Sequence, residues 1–473
     1  MESIDRKKLL ELYQDWAGEE PTEVHLLPES GSYRRYFRIK SSGKQAIGAF
    51  YDNPPENNAF IQLSRHFKKH GLNVPEIFRV SEEKKHYLLE DLGDTVLFDQ
   101  IKEIREKEGF SEKLTGIYQN IINELIKFQM VAGPSVDFSV CYPSAEFDGQ
   151  AYMWDLNYFK YNFLKLAQIP YDEYKLEEDF RKLVQLLLSV DNAYFVYRDF
   201  QARNIMLHNN KLYFIDYQGG RKGPLHYDLV SLLFQARAEI PVEIREKLID
   251  YYIQQAGRLE PESVKNFRQH FYRFALIRVI QTLGAYGFRG LYEKKRHFIE
   301  SIPKAIENLG WLMENTPMIH ELNELKSCLT TIVHWNDLKE LIHPPLKVNI
   351  HSFSFKRGIP ADLSGHGGGF VFDCRGLPNP GRLMKYQHLD GRDGEVIGYL
   401  RQYGEVEEFI GHAKAMVMHS VKTYTQRSFT SLSVSFGCTG GRHRSVYCAE
   451  ALATALIDMP GVEINLRHLE QGS

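Results

Sequence analysis

The chain has 473 residues, 43% hydrophobic and 25% charged, with a net charge of −3. That length predicts two or three domains with ordinary apolar cores, and the charge excludes a global basic field drawing the protein onto nucleic acid or anionic membrane. No apolar run approaches the ~20 residues of a membrane span, and five cysteines (Cys141, Cys328, Cys374, Cys438, Cys448) without C-x-x-C spacing predict reduced thiols in a cytoplasm.

The opening residues lead into an amphipathic pattern rather than a signal peptide, and Leu9 to Trp16 predicts a short helix. Glu23-Val-His-Leu-Leu-Pro, Tyr36-Phe-Arg-Ile-Lys and Gln45-Ala-Ile-Gly-Ala-Phe-Tyr51 predict strands, separated by turns at Gly31 and Ser41-Ser-Gly43. From Asn57 to Gly71 the spacing is helical, with Phe60, Leu63 and Phe67 on one face and Gly71 as the stop. Two more strands follow near 76–80 and 87–90. The chain then turns mostly helical until about residue 340, except for 194–217. After Leu341-Ile-His-Pro-Pro-Leu, strands are expected near 347–355, 370–374 and 431–436, and helices over 405–423 and 445–457. Residues 364–369, Ser-Gly-His-Gly-Gly-Gly, read as a flexible loop.

Two motifs carry chemistry. The first is Val196-Tyr-Arg-Asp-Phe-Gln-Ala-Arg-Asn204, followed by Phe214-Ile-Asp-Tyr217. Phosphoryl transfer needs a carboxylate to orient the attacking hydroxyl, and an amide and a second carboxylate to hold magnesium on the nucleotide phosphates. Asp199 fits the first role; Asn204 and Asp216 fit the second, since oxygen ligands suit that hard cation. The fold expected is an α+β bilobal kinase-like one: a small lobe over 1–90, Glu90-Asp-Leu-Gly-Asp as the hinge, and a helical lobe over 91–315. A linker over 316–344 and an α/β domain over 345–473 would follow.

The loop, the run Ile215-Asp-Tyr-Gln-Gly-Gly with Tyr227-Asp-Leu-Val-Ser-Leu-Leu, and Gly31-Ser-Tyr-Arg-Arg-Tyr-Phe-Arg38 resemble the aminoglycoside phosphotransferase superfamily. Pro54-Pro-Glu56 and Gln281-Thr-Leu-Gly-Ala-Tyr-Gly-Phe-Arg289 are similar to its anomeric N-acetylmuramate/N-acetylglucosamine kinases. The resemblance spans about 5–315 and implies transfer of the ATP γ-phosphoryl group to an amino sugar's C1 hydroxyl, with ATP and Mg2+ as cofactors. Tyr197 and Gln201 stand where the family usually has His. The third strand offers Ala46-Ile-Gly-Ala-Phe50 where many kinases carry a phosphate-binding Lys, so Arg34 and Arg35 are expected to substitute. Glu90 and Leu92 complete the expected nucleotide site. Asp155, Asn157 and Tyr158, and Arg278, Tyr286 and Arg289 from a later helix, are candidates for the sugar.

The second motif is Ser435-Phe-Gly-Cys-Thr-Gly-Gly-Arg-His-Arg-Ser445. A strand, a glycine-rich loop and a helix N-terminus make an anion cradle. The Cys-x5-Arg-Ser spacing is also that of cysteine-dependent phosphatases, with Asp373 as a possible general acid. Together with Ser352-Phe-Ser-Phe-Lys-Arg-Gly-Ile-Pro360 and Phe372-Asp-Cys-Arg-Gly-Leu-Pro-Asn-Pro380, it resembles the C-terminal domain of the RNase adapter RapZ over about 345–470. That resemblance implies an amino-sugar phosphate pocket formed by Lys356, Asp373, Arg375, Asn379, Cys438, Thr439, Gly440, Gly441, His443, Arg444 and Ser445. The tail carries 14 Lys+Arg against 12 Asp+Glu from His343 onward. Such near-neutrality offers RNA little attraction, so a sugar phosphate is the expected ligand. A non-catalytic nucleotide, metabolite or RNA adapter and a phosphatase tail remain as alternatives, and the oligomeric state stays open.

Overall fold

The structure is a computed structural model in which the chain divides into two compact units, 1–335 and 336–473. It describes residues 2–28, 33–335, 338, 344–362, 369–427 and 429–471. The expected turn at Gly31, the flexible loop up to 368 and the end of the expected linker lie outside these residues.

Unit 1 opens with α1 (Glu2–Ala17), β1 (Glu23–Leu26), β2 (Arg35–Lys40), β3 (Gln45–Phe50), α2 (Pro54–Lys69), β4 (Ile77–Val80) and β5 (His86–Leu89). The strands form one antiparallel sheet in the order β1-β2-β3-β5-β4. Leu9 and Tyr13 of α1 pack on Phe37, Ile39, Ala46 and Leu88 on one face. Strand alternation sends Tyr36 and Arg38 to the other face. Helix α2 starts cleanly because Asn53 accepts the Glu56 amide (3.4 Å) and proline fills the first turn.

A helical lobe follows: α3 (Leu97–Glu108), α4 (Glu112–Ile126), α5 (Gly149–Phe159), α6 (Glu173–Leu188), α7 (His226–Leu233), α8 (Val242–Leu259), α9 (Phe267–Tyr286), α10 (Arg296–Ile299), α11 (Ile302–Asn315) and α12 (Asn323–Val333). Between α6 and α7 lie two small antiparallel pairs, β6 (Tyr194–Val196) with β9 (Arg221–Gly223) and β7 (Ile205–His208) with β8 (Lys211–Phe214). Helix α9 is apolar around most of its circumference and is the lobe's central helix, packed by α5, α7 and α11. Gly287, just past its end, allows the chain after α5 to come close: a Cβ there would sit 1.8 Å from the Asn162 carbonyl oxygen. This contact sets Tyr158 and Tyr286 against one cavity.

The segment expected to be a linker from residue 316 is structured in its first half. Helix α12 buries Leu325, Cys328, Leu329 and Ile332 and packs on α6, where Asp179 accepts the Glu324 and Leu325 amides (2.8 and 3.1 Å). Its apolar spacing, and not the following Pro-Pro, decides the boundary.

Unit 2 contains β10 (Leu346–Ser354), β11 (Gly369–Asp373), α13 (Gly394–Leu400), α14 (Gly404–Gln426), β12 (Ser431–Cys438), α15 (Arg444–Leu456) and β13 (Val462–His468). Its sheet is parallel, in the order β11-β12-β10-β13. Strand β13 and helix α13 were not expected from the sequence. The chain leaves β10 toward β11 and leaves β12 toward β13, so the switch point lies between β12 and β10. Open α/β sheets bind ligands outside the strand ends at such a point, and Cys438 and Ser354 end these two strands.

Candidate active site

The loop between β6 and β7 is held from beneath. Asp228, at the start of α7, accepts the amides of Tyr197 (2.7 Å) and Arg198 (2.8 Å). The Tyr197 hydroxyl donates to the Ile215 carbonyl, immediately before Asp216. Tyrosine in place of the usual histidine thus still ties the loop to the strand end. Arg198 (φ 79°) and Asp216 (φ 71°) both occupy the left-handed region, which non-glycine residues adopt mainly where the surroundings enforce it.

Asp199, Asn204 and Asp216 come together as the sequence implied. The Asn204 side-chain amide donates to the Asp199 carbonyl (2.8 Å) and to Asp216 Oδ2 (3.2 Å), leaving its Oδ1 as the remaining polar atom. Gln218 holds the other Asp216 oxygen (2.8 Å). Burial works against ionisation of Asp199, but Arg278, Arg198 and Arg203 outweigh it and hold the carboxyl below its ordinary value. The Asp216 carboxyl, although it opens to the cleft, is raised by loss of water and then by repulsion from Asp199. Among the described residues no group of three His, Cys, Asp or Glu could form an all-protein metal cage. One carboxylate and one amide oxygen nevertheless fit magnesium, which takes one or two protein ligands and completes its shell with water and phosphate.

Asp199 opens onto a cavity of about 380 Å³, with Tyr158, Arg278, Tyr286 and Arg289 in its wall as expected. Arg278 donates to Asp199 Oδ1 (3.0 Å). Asp155 and Asn157, expected to meet the sugar, are not in that wall. Asp155 is buried 3.7 Å from Arg198, so it supports the loop from beneath. The Asn157 oxygen is buried without a partner. Tyr158, three residues further along α5, reaches the cavity wall. Sequence reasoning missed Gln201, Arg203, Arg237 and Gln281 in the wall, and the role of Asp228; for the last, the Tyr-Asp-Leu run was a usable signal.

On the sheet side, Arg34 is buried and donates to Glu56 Oε1 of α2 (2.9 Å). Kinases pair a strand lysine with a glutamate of the small-lobe helix; here an arginine entering β2 supplies the cation. Arg35 does not share that face. It binds Asp5 of α1 (2.8 Å) and lies over Phe50 (4.8 Å), because neighbouring strand residues point to opposite sides. The Glu90 carboxylate accepts the Glu76 amide (3.2 Å) and lies 3.6 Å from Lys68, turned away from the cleft. The Leu92 carbonyl contacts a His208 ring nitrogen (3.1 Å). The Glu90 side chain and the Leu92 carbonyl therefore brace the hinge.

In unit 2, the loop from Thr439 to His443 links β12 to the N-terminus of α15. Cys438 is 3% exposed, with Sγ 3.2 Å from Ser445 Oγ. Burial opposes the thiolate, but the Ser445 hydroxyl and amide, Arg444 and the Gly441 amide prevail and hold the thiol below its ordinary value. Thr439 and Gly440 are exposed at the loop's tip, while Gly441 (φ 67°) is buried against Ser354. Arg444 departs from expectation: its Nη1 binds the Arg375 (2.8 Å) and Leu377 (2.9 Å) carbonyls, so it pins the neighbouring loop. His443 contacts the Tyr386 carbonyl (2.9 Å), and Asn379 accepts the Gly381 amide (3.2 Å). Asp373 pairs with Arg375 (2.6 Å), which lowers its carboxyl and makes it a poor general acid at neutral pH. Lys356 is exposed.

Comparison with known proteins agrees with this architecture. Residues 23–265 match the phosphotransferase enzyme family and residues 346–472 match the RapZ C-terminal domain. A nucleotide-binding protein of Pseudothermotoga lettingae is 34% identical over 175 residues, covering 35% of this chain and 59% of its own. One from Thermotoga neapolitana is 42% identical over 111 residues, 24% of this chain and 38% of its own; the chain thus spans less than two thirds of these relatives. Among solved structures, the ethanolamine kinase of Plasmodium vivax superposes with a TM-score of 0.45 at 12% identity, over 62% of this chain and 82% of that one. No helix among the described residues is long and apolar enough to cross a membrane. The chain belongs to the phosphotransferase enzyme family and carries, behind its kinase-like unit, a RapZ C-terminal domain.

Proposed function

We propose that unit 1 transfers the γ-phosphoryl group of ATP to the anomeric hydroxyl of an amino sugar, N-acetylmuramate or N-acetylglucosamine. We assign 1–90 to the small lobe and 91–315 to the helical one, with α12 an extension of the latter. The observation that carries the reading is the Asp199 carboxylate: Arg278 holds it ionised at the wall of a cavity, with Asn204 and Asp216 alongside. Asp199 orients the acceptor hydroxyl and takes its proton as the oxygen bonds to the γ-phosphorus and the bond to the β-phosphate oxygen breaks, releasing ADP. Asn204 and Asp216 would hold Mg2+, which supplies charge neutralisation on the phosphates. Arg34, fixed by Glu56, supplies positive charge from the sheet side. Unit 2 would sense an amino-sugar phosphate at the Thr439–His443 loop. The names of its relatives offer a nucleotide as the other anionic ligand.

The test is ADP release with Mg-ATP across N-acetylmuramate, N-acetylglucosamine, kanamycin, choline and homoserine, with the product identified by phosphorus NMR. A sugar 1-phosphate supports the reading; turnover confined to another acceptor, or to none, refutes it. Calorimetry of unit-2 ligands with the full chain, glucosamine-6-phosphate against ATP, separates the two readings of the second site.

A further inference from the structure

The cavity beside Asp199 has a one-sided charge. Its charged lining consists of Asp199, Arg203, Arg237, Arg278, Arg289 and His297: four guanidiniums and a histidine against one carboxylate. Arg278 is neutralised by Asp199 (3.0 Å) and Arg289 by Glu293 (2.9 Å). Among the described residues Arg203 and Arg237 make no ion pair, and both are exposed. Carboxylates near this end are already engaged: Glu239 with Arg105 (3.1 Å) and Lys304 (3.6 Å), Glu300 with Arg296 (3.0 Å). Arg203, Arg237, Arg278 and Tyr286 line this one cavity together, and the three guanidiniums oppose the rise that burial gives the Tyr286 phenol. Arg237 lies over Phe98 (5.8 Å), so that part of the wall is fixed by an aromatic ring.

A cavity whose lining carries four guanidiniums against one carboxylate repels a cationic acceptor and attracts an oxyanion, which arginine binds through parallel N–H donors. We propose that the acceptor carries an oxyanion substituent, a phosphate monoester or a carboxylate, held in this cavity by Arg203 and Arg237. Arg237 stands on the turn after α7, away from the catalytic loop, so it serves the acceptor and not the nucleotide phosphates. The excess of positive charge in the lining suits a phosphate monoester, which carries about −1.5 to −2 at neutral pH, as well as a carboxylate. Polycationic aminoglycosides and choline are excluded as good acceptors on the same ground. The inference rests on the cavity being the acceptor site of the proposed kinase.

Equilibrium binding to the full chain with Mg-ADP present tests it, using N-acetylglucosamine, N-acetylglucosamine-6-phosphate, N-acetylmuramate and kanamycin. The expected result is binding of at least one anionic sugar more than about tenfold tighter than the neutral one, with kanamycin weakest. Which anionic sugar leads identifies the group. In Arg237→Gln, and again in Arg203→Gln, the ratio of anionic to neutral affinity falls toward one, and Arg237→Lys restores part of it. Equal affinity for neutral and anionic sugars, no sugar binding, or an Arg237→Gln variant that weakens Mg-ADP while keeping the sugar ratio overturns the proposal. Thermal melting confirms that each variant is folded. An anionic sugar that binds preferentially but is not phosphorylated sinks the kinase reading and leaves this site standing. A neutral sugar phosphorylated without preference does the reverse.

Discussion

Replacing Arg278 by glutamine tests the electrostatic core of the site. The Arg278 side chain is 6% exposed, with Nη2 3.0 Å from Asp199 Oδ1. Two charges with centres near 4 Å interact by about 4 kcal/mol at an effective dielectric of 20. The Asp199 side chain is 41% exposed, so water screens the pair, and about 1–2 kcal/mol is a fair remainder. At 1.36 kcal/mol per unit, removing Arg278 raises the Asp199 carboxyl by about one pKa unit. The sign follows from the wild type: arginines hold this carboxyl below its ordinary value, so losing one moves protonation to higher pH. The acid limb of the kcat/KM profile, read by ADP release, should therefore shift up by about one unit. Arg278→Lys should return much of that shift, since it keeps the charge. An acid limb that stays in place while the melting temperature is unchanged would show that Asp199 does not titrate in the rate-determining step, and would refute this reasoning.

Glu56→Gln breaks a pair in which the Arg34 side chain is only 3% exposed; a loss of about 3 kcal/mol in urea unfolding and a raised KM for ATP are expected, while Arg35→Gln, on the other face of the sheet, leaves the ATP KM in place. Tyr197→Phe orphans the Ile215 carbonyl; about 1–2 kcal/mol of stability and a several-fold loss of kcat should follow, and an unchanged kcat would remove Tyr197 from the loop's support. His226, buried between Phe267 (4.0 Å) and Phe274 (4.9 Å), is pushed down to about 3 by burial. The fold therefore keeps the ring neutral, and its stability contribution is complete above pH 6.5 and lost progressively as pH falls toward 3. Between pH 8 and pH 5 the unfolded chain gains about 2 kcal/mol from this residue alone. His226→Phe should remove that part of the acid destabilisation in urea titrations at the two pH values, and an identical pH dependence would contradict it.

What was readable in the sequence was what depends on local pattern. Alternation and turn residues located β2, β3 and β5, and apolar spacing located α2. The Asp-x4-Asn spacing and the following strand-Asp brought Asp199, Asn204 and Asp216 together correctly because the loop between them is short. Facing was harder to read. Arg34 and Arg35 look equivalent as neighbours, yet one pairs with Glu56 and the other with Asp5, because β2 points them to opposite sides. Asp155 and Tyr158 lie near one another on α5, and only where α5 meets α9 decides which of them reaches the cavity, a long-range contact that no local window contains. Arg203 and Arg237 reach one cavity from 34 residues apart through the packing of α7 on α9. Arg444 looked like an anion ligand by spacing, but its fork found backbone carbonyls of a distant loop.

Single-turnover transfer from γ-labelled ATP to the amino sugar, with enzyme in excess and nucleotide pre-bound, tests the central claim most directly. The account predicts a labelled sugar phosphate with wild type and Mg2+. It predicts a rate lower by about 10²–10⁴ in Asp199→Asn, in the range of a lost general base, with ATP still bound. Full-rate transfer by Asp199→Asn, or no label on any acceptor with the wild-type chain, would contradict it.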